Sequence, residues 1–159
     1  MNFKFLLILA GILVFGLGNA WNTYAAPPSS GCALLTPAQI QKVLEQPFDA
    51  PKDDPMIPPF GDKWGSHCTY TTQRGGDHPM VVDFFVYVTA SAAEAKQWFD
   101  MGTAVSKAKS KPAIGDSAYT DPADGTVHVL KGKVLYWIAI DPGNEKREKD
   151  LAESVAAGI

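Results

Sequence analysis

Residues 114–140 read IGDSAYTDPADGTVHVLKGKVLYWIAI, and the architecture of the chain is most legible there. The apolar runs are rich in Val, Ile, Tyr and Trp, side chains that suit a half-buried pleated surface. Between them stand Asp124-Gly125 and Lys131-Gly132-Lys133, whose glycines meet the backbone demands of tight hairpin turns. The stretch predicts a three-stranded antiparallel meander. In its last strand Val134, Tyr136, Ile138 and Ile140 alternate with Leu135, Trp137 and Ala139, so the first set faces the helices and the second the opposite side.

Upstream, a strand over about Ser66 to Thr72 turns through Arg74-Gly75-Gly76-Asp77 into a second strand from Met80 to Val88. There Met80, Val82, Phe84, Val86 and Val88 share the core face, and Val81, Asp83, Phe85 and Tyr87 the mixed one. Three helices have start signals. Thr36-Pro37-Ala38-Gln39 is a capping box with proline at the first helical position, and Ile40, Val43 and Leu44 form its apolar stripe. Ser91 and Glu94 open a second helix to about Val105, with Ala92, Ala95, Trp98, Phe99 and Gly102 on its buried side. The third follows Asp141-Pro142-Gly143-Asn144, shows Leu151, Ala152 and Val155, and ends at Gly158. Pro47, Pro51, Pro55, Pro58 and Pro59 predict an extended loop from Pro47 to Trp64.

This order, α-β-β-α-β-β-β-α, predicts an α+β fold with one open antiparallel sheet of about five strands and helices mainly on one face. A strand hairpin followed by a helix occurs twice, as in an internal pseudo-repeat.

Residues 1–26 have the layout of an export signal. Lys4 is the positive start, and Phe5 to Leu17 form an apolar run of ~13 residues, within the signal range and short of the ~20 that span a bilayer. Small residues at Gly18 and Ala20, or Ala25 and Ala26 before Pro27-Pro28, offer cleavage points, and the second is favoured. An uncleaved signal would tether the chain instead. Residues 27–159 then form a single domain, periplasmic or secreted.

In an oxidising compartment the only two cysteines, Cys32 and Cys68, are expected to pair. A loop of ~37 residues closed this way removes about 3 to 4 kcal/mol of unfolded-state entropy. The rival is a lipid on Cys32 after Ser30-Gly31, although Ser29 stands where an aliphatic residue is expected and Cys68 would be left alone. Zinc fits less well, because two sulfurs without a local histidine pair do not close a tetrahedral site.

The chain carries a formal charge of -3, and loss of Lys4 would make it one unit more acidic. No basic stripe suits nucleic acid, and Lys107, Lys109 and Lys111 read as a solvated linker. No cofactor motif is present, and no metal site is expected. His67, His78 and His128 with Asp77, Asp83 and Asp116 read as scattered surface groups. Ser66 or Ser117 would become a nucleophile only with a histidine in reach.

Cys32-Ala33-Leu34-Leu35-Thr36, Cys68-Thr69-Tyr70, Ile114-Gly115-Asp116-Ser117-Ala118-Tyr119 and Val129-Leu130-Lys131-Gly132 together resemble small secreted domains of unknown function common among actinobacterial lipoproteins. They are also similar to the extracellular sensor domain of mycobacterial receptor serine/threonine kinases. The resemblance implies a disulfide-stapled extracytoplasmic module for binding or sensing, with no catalytic residues to carry over. The expected function is a non-enzymatic binding module for an envelope protein or small ligand, using Phe85, Tyr87, Leu135 and Trp137 on the aromatic sheet face. Cover by the proline-rich loop would close that face. The alternative is a small secreted hydrolase built on a histidine and a carboxylate.

Overall fold

The computed structural model describes residues 30–56, 64–73, 79–108 and 113–159. After a 3-10 turn at Gly31–Leu34 come α1 (Pro37–Leu44), β1 (Lys52–Met56), β2 (Trp64–Thr71), β3 (Val81–Val88) and α2 (Ala92–Ser106). The chain continues with β4 (Ser117–Thr120), β5 (Val127–Lys131), β6 (Val134–Asp141) and α3 (Glu145–Ala156). The expected export signal over 1–26, the expected turn at 74–77, His78, Ile57, Phe60, and Lys109 and Lys111 lie outside the described residues.

The fold is α+β, with one open sheet in the order β1-β2-β3-β6-β5-β4 and every neighbouring pair antiparallel. The meander forms as its glycines predict, with Gly125 at φ 83 and Gly132 at φ 57 in the two turns. Its last strand pairs along its length with β3, from Val88 opposite Val134 to Val81 opposite Asp141.

Two expectations are corrected. The sheet has six strands, because the proline-rich segment contributes β1, which pairs with β2 from Lys52 opposite Thr69 to Met56 opposite Gly65. Pro55 is tolerated there because an edge strand has one side without ladder bonds, where a missing N–H costs nothing. The helices lie mainly on one face as expected, but the internal pseudo-repeat does not hold. α1 and α3 cover the core face, whereas α2 crosses the opposite one, so the two hairpin-helix units are not copies in space.

On the core face Val82, Phe84 and Val86 of β3 meet Tyr136 and Ile138 of β6 with no exposed surface beyond 1%. Ile40 and Leu44 of α1 and Leu151, Ala152 and Val155 of α3 close over them, the stripes that helical spacing predicts. Caps hold the helix starts: Thr36 and Gln39 form the reciprocal box, Ser91 accepts from the Glu94 N–H, and Asn144 from the Arg147 N–H. The disulfide bonds Cys32 to Cys68 with Cα atoms 5.5 Å apart, fastening the 3-10 turn to the middle of β2. Beside it the Tyr70 hydroxyl donates to the Leu35 carbonyl, which anchors the same segment a second time.

Glu148 extends the α3 stripe one turn toward its start, at i to Leu151, Ala152 and Val155 at i+3, i+4 and i+7, so helical spacing places a carboxyl on the buried face. It lies in the first turns of α3 with 2% of its surface exposed. Its Oε1 accepts from the Ile140 N–H at 3.1 Å, while Oε2 has no hydrogen-bond partner among the described residues. Burial, helped by the negative charges of Asp124 and Glu145, raises its pKa against the opposing pull of backbone N–H groups at Ile140 and Asn144. In the unfolded chain a Glu ionises near pH ~4.3. Its contribution to stability is therefore fully present below that pH and is lost as pH rises through the higher folded value. Glu148→Gln keeps an acceptor for Ile140 and removes the charge. Denaturation midpoints followed from acid to neutral pH are expected to decline less in the variant than in the parent; equal declines would contradict this account.

Candidate binding site on the second sheet face

The register places one residue from each of five strands in a single row: Tyr119, His128, Trp137, Phe85 and His67, each directly opposite the next. Residues in register point to one side, and here the side is the one away from α1 and α3. The rings make a continuous stack. Tyr119 and His128 have centroids 4.6 Å apart, His128 and Trp137 5.5 Å, Trp137 and Phe85 4.8 Å, and Phe85 and His67 4.1 Å. Tyr87, one row along and opposite Leu135, leans on Trp137 at 5.4 Å.

Helix α2 roofs half of this row because it carries the chain from β3, in the middle of the sheet, to β4 at its edge. In crossing it contacts β5 and β6. Phe99 meets the Tyr119 ring edge-on at 5.3 Å and 61°. Gly102 lets the helix come close: a Cβ there would lie 2.8 Å from the Tyr119 hydroxyl. Only Ala95 of the expected buried side is fully buried; Trp98, Phe99 and Gly102 are half-buried and Ala92 is exposed. The helix sits over a gap.

That gap is a cavity of about 390 Å³. Its floor is Tyr87, Tyr119, His128, Leu135 and Trp137, and its roof Trp98, Phe99, Met101, Gly102 and Val105. The roof reaches solvent, with Met101 45% and Val105 79% exposed. No Lys, Arg, Asp or Glu is among the lining residues. Burial lowers the His128 pKa, and the negative charges of Asp121 and Asp124 oppose the shift without reversing it, so the imidazole is neutral at pH 7. Burial raises Tyr87 and Tyr119, so both phenols stay protonated. The space is concave, apolar and bordered by a few polar ring atoms, as small-molecule sites are.

Of the four residues expected to form a site, Tyr87, Leu135 and Trp137 line the cavity, and Phe85 stands one place further along the stack. Tyr119, His128, Met101 and Val105 were not anticipated. Trp98, Met101 and Val105 recur at i, i+3 and i+7, an apolar stripe visible in the sequence, but spacing does not say which sheet face a stripe will meet.

One histidine does find a carboxylate. His67 Nε2 lies 2.8 Å from Asp83 Oδ1, and the Thr69 hydroxyl is 2.9 Å from that oxygen and 3.3 Å from that nitrogen. A relay puts the carboxylate and the hydroxyl on opposite ring nitrogens, whereas here both meet Nε2. Ser66 turns to the other face and donates to Asp53, and Ser117 is exposed at the far edge of the sheet. Among the described residues, Cys32, Cys68 and Asp53 are grouped closely enough for a metal ion, but the disulfide leaves neither sulfur as a thiolate.

No protein-family model matches the chain, and no curated protein or solved structure matches it. Among the described residues no helix is long and apolar enough to cross a membrane.

Proposed function

We propose that this chain is an exported, non-enzymatic binding module whose ligand enters the cavity between α2 and the aromatic face of the sheet. The observation that carries the reading is the cavity itself, walled by aromatic and aliphatic side chains from both layers. Export is supported by the signal-like residues 1–26 and by the disulfide, a bond that persists in oxidising compartments. The resemblance to extracytoplasmic binding and sensing domains points the same way. The hydrolase alternative has only the His67 contact with Asp83 in its support.

Trp137 is the test residue because it lies on the cavity floor and is only half-buried. An aromatic anchor of this kind contributes ~2 kcal/mol or more of binding. Trp137→Ala is expected to keep the parent's far-ultraviolet circular dichroism and to bind the uncharged fluorophore phenylnaphthylamine at least tenfold more weakly. Unchanged affinity would place the site elsewhere. If the variant unfolds, Met101→Glu at the exposed rim gives the same comparison without touching the sheet.

A further inference from the structure

The cavity's walls also say what shape of ligand suits it, and the following rests on the binding-site reading above. We infer that the occupant is an uncharged molecule with a flat, rigid aromatic or conjugated ring system, and not a flexible acyl chain.

The floor is a stack whose members occupy one another's faces. Tyr119 and His128 are within 5° of parallel, Phe85 and Trp137 within 11°, and His128 and Trp137 within 22°. Rings stacked along the direction that crosses the strands turn their edges, not their faces, toward α2. An aromatic edge is the positive end of the ring quadrupole and prefers the negative face of another ring. A flat ligand laid over His128 and Trp137 offers such a face to both at once. Phe99 already makes an edge-type contact next door, meeting Tyr119 at 61°.

The roof fits the same occupant. Met101 brings a thioether, which makes favourable contacts with rings, and Trp98 adds a further aromatic surface. Gly102 holds the helix low over Tyr119, so the space between the layers is a slot. A rigid plate enters a slot without losing rotamer freedom, whereas an alkyl chain gives up torsional freedom there. Charge is disfavoured because no ionisable side chain other than a histidine and three tyrosines lines the walls, and an unpaired charge in such a place is costly.

The test is displacement of phenylnaphthylamine from the parent protein by two neutral alcohols of comparable hydrophobicity, naphthalenemethanol and heptanol. Naphthalenemethanol is expected to bind at least tenfold more tightly, and Met101→Glu to weaken its binding at least tenfold. A preference below tenfold, or one for heptanol, with both alcohols weakened in Met101→Glu, would overturn the flat-ring inference and leave the binding site standing. Failure of the fluorophore to bind, or binding that neither Met101→Glu nor Trp137→Ala weakens, would overturn both.

Discussion

Phe84→Ala is expected to cost about 3 to 5 kcal/mol of stability, the range for removing a ring from a packed core. Phe84 has no exposed surface and stands mid-strand in β3, between Cys68 on β2 and Ile138 on β6. Its ring leans on Tyr136 at 5.9 Å. Since β3 joins the β1-β2 half of the sheet to the β6-β5-β4 half, a cavity there loosens the seam on which both depend. Asp83→Ala, one residue away, makes the contrast. Its side chain is 33% exposed on the opposite face, and its partners His67 and Thr69 can turn to water. Thermal melting should separate the two variants by many degrees; equal melting temperatures would contradict the burial of Phe84.

Replacing both cysteines, Cys32→Ser with Cys68→Ser, is expected to cost about 3 to 4 kcal/mol through the entropy returned to the unfolded chain. The bond spans a sequence separation of 36, long enough for loop closure to matter. It also holds the 3-10 turn against β2, where the Tyr70 hydroxyl donates to Leu35. Both groups are buried and would be exposed to competition from water if the turn detached. Urea midpoints of parent and double variant give the measurement. The parent should gain the mass of two hydrogens on reduction, and two free thiols in protein taken from its native compartment would defeat the assignment.

What the sequence determined by itself is local. Alternation along β3 and β6 assigns every core residue of those strands correctly, because side chains on a pleated strand point to opposite faces in turn. The capping residues Thr36, Ser91 and Asn144 mark the helix starts, because their side chains satisfy N–H groups within three residues. Phe85, Tyr87, Leu135 and Trp137 could be placed on one face for the same reason.

Only the tertiary structure decided what lies over that face. β6 inserts beside β3, from which it is separated by α2 and two strands, and β4 takes the far edge. That pairing obliges the α2 link to span β6 and β5, and with α1 and α3 on the core face it passes over the aromatic side, where it brings Trp98, Met101 and Val105 over Trp137 and His128. No periodicity encodes it, since an apolar stripe on a helix is the same whichever side of the sheet it covers. The strand through Pro55 and the meeting of His67 with Asp83 depend likewise on partners supplied by another strand. Tyr87, Leu135 and Trp137 of the cavity floor follow from local alternation, but Tyr119 and His128 join them only through strand pairing, and the roof, and so the enclosed space, only through the path of α2.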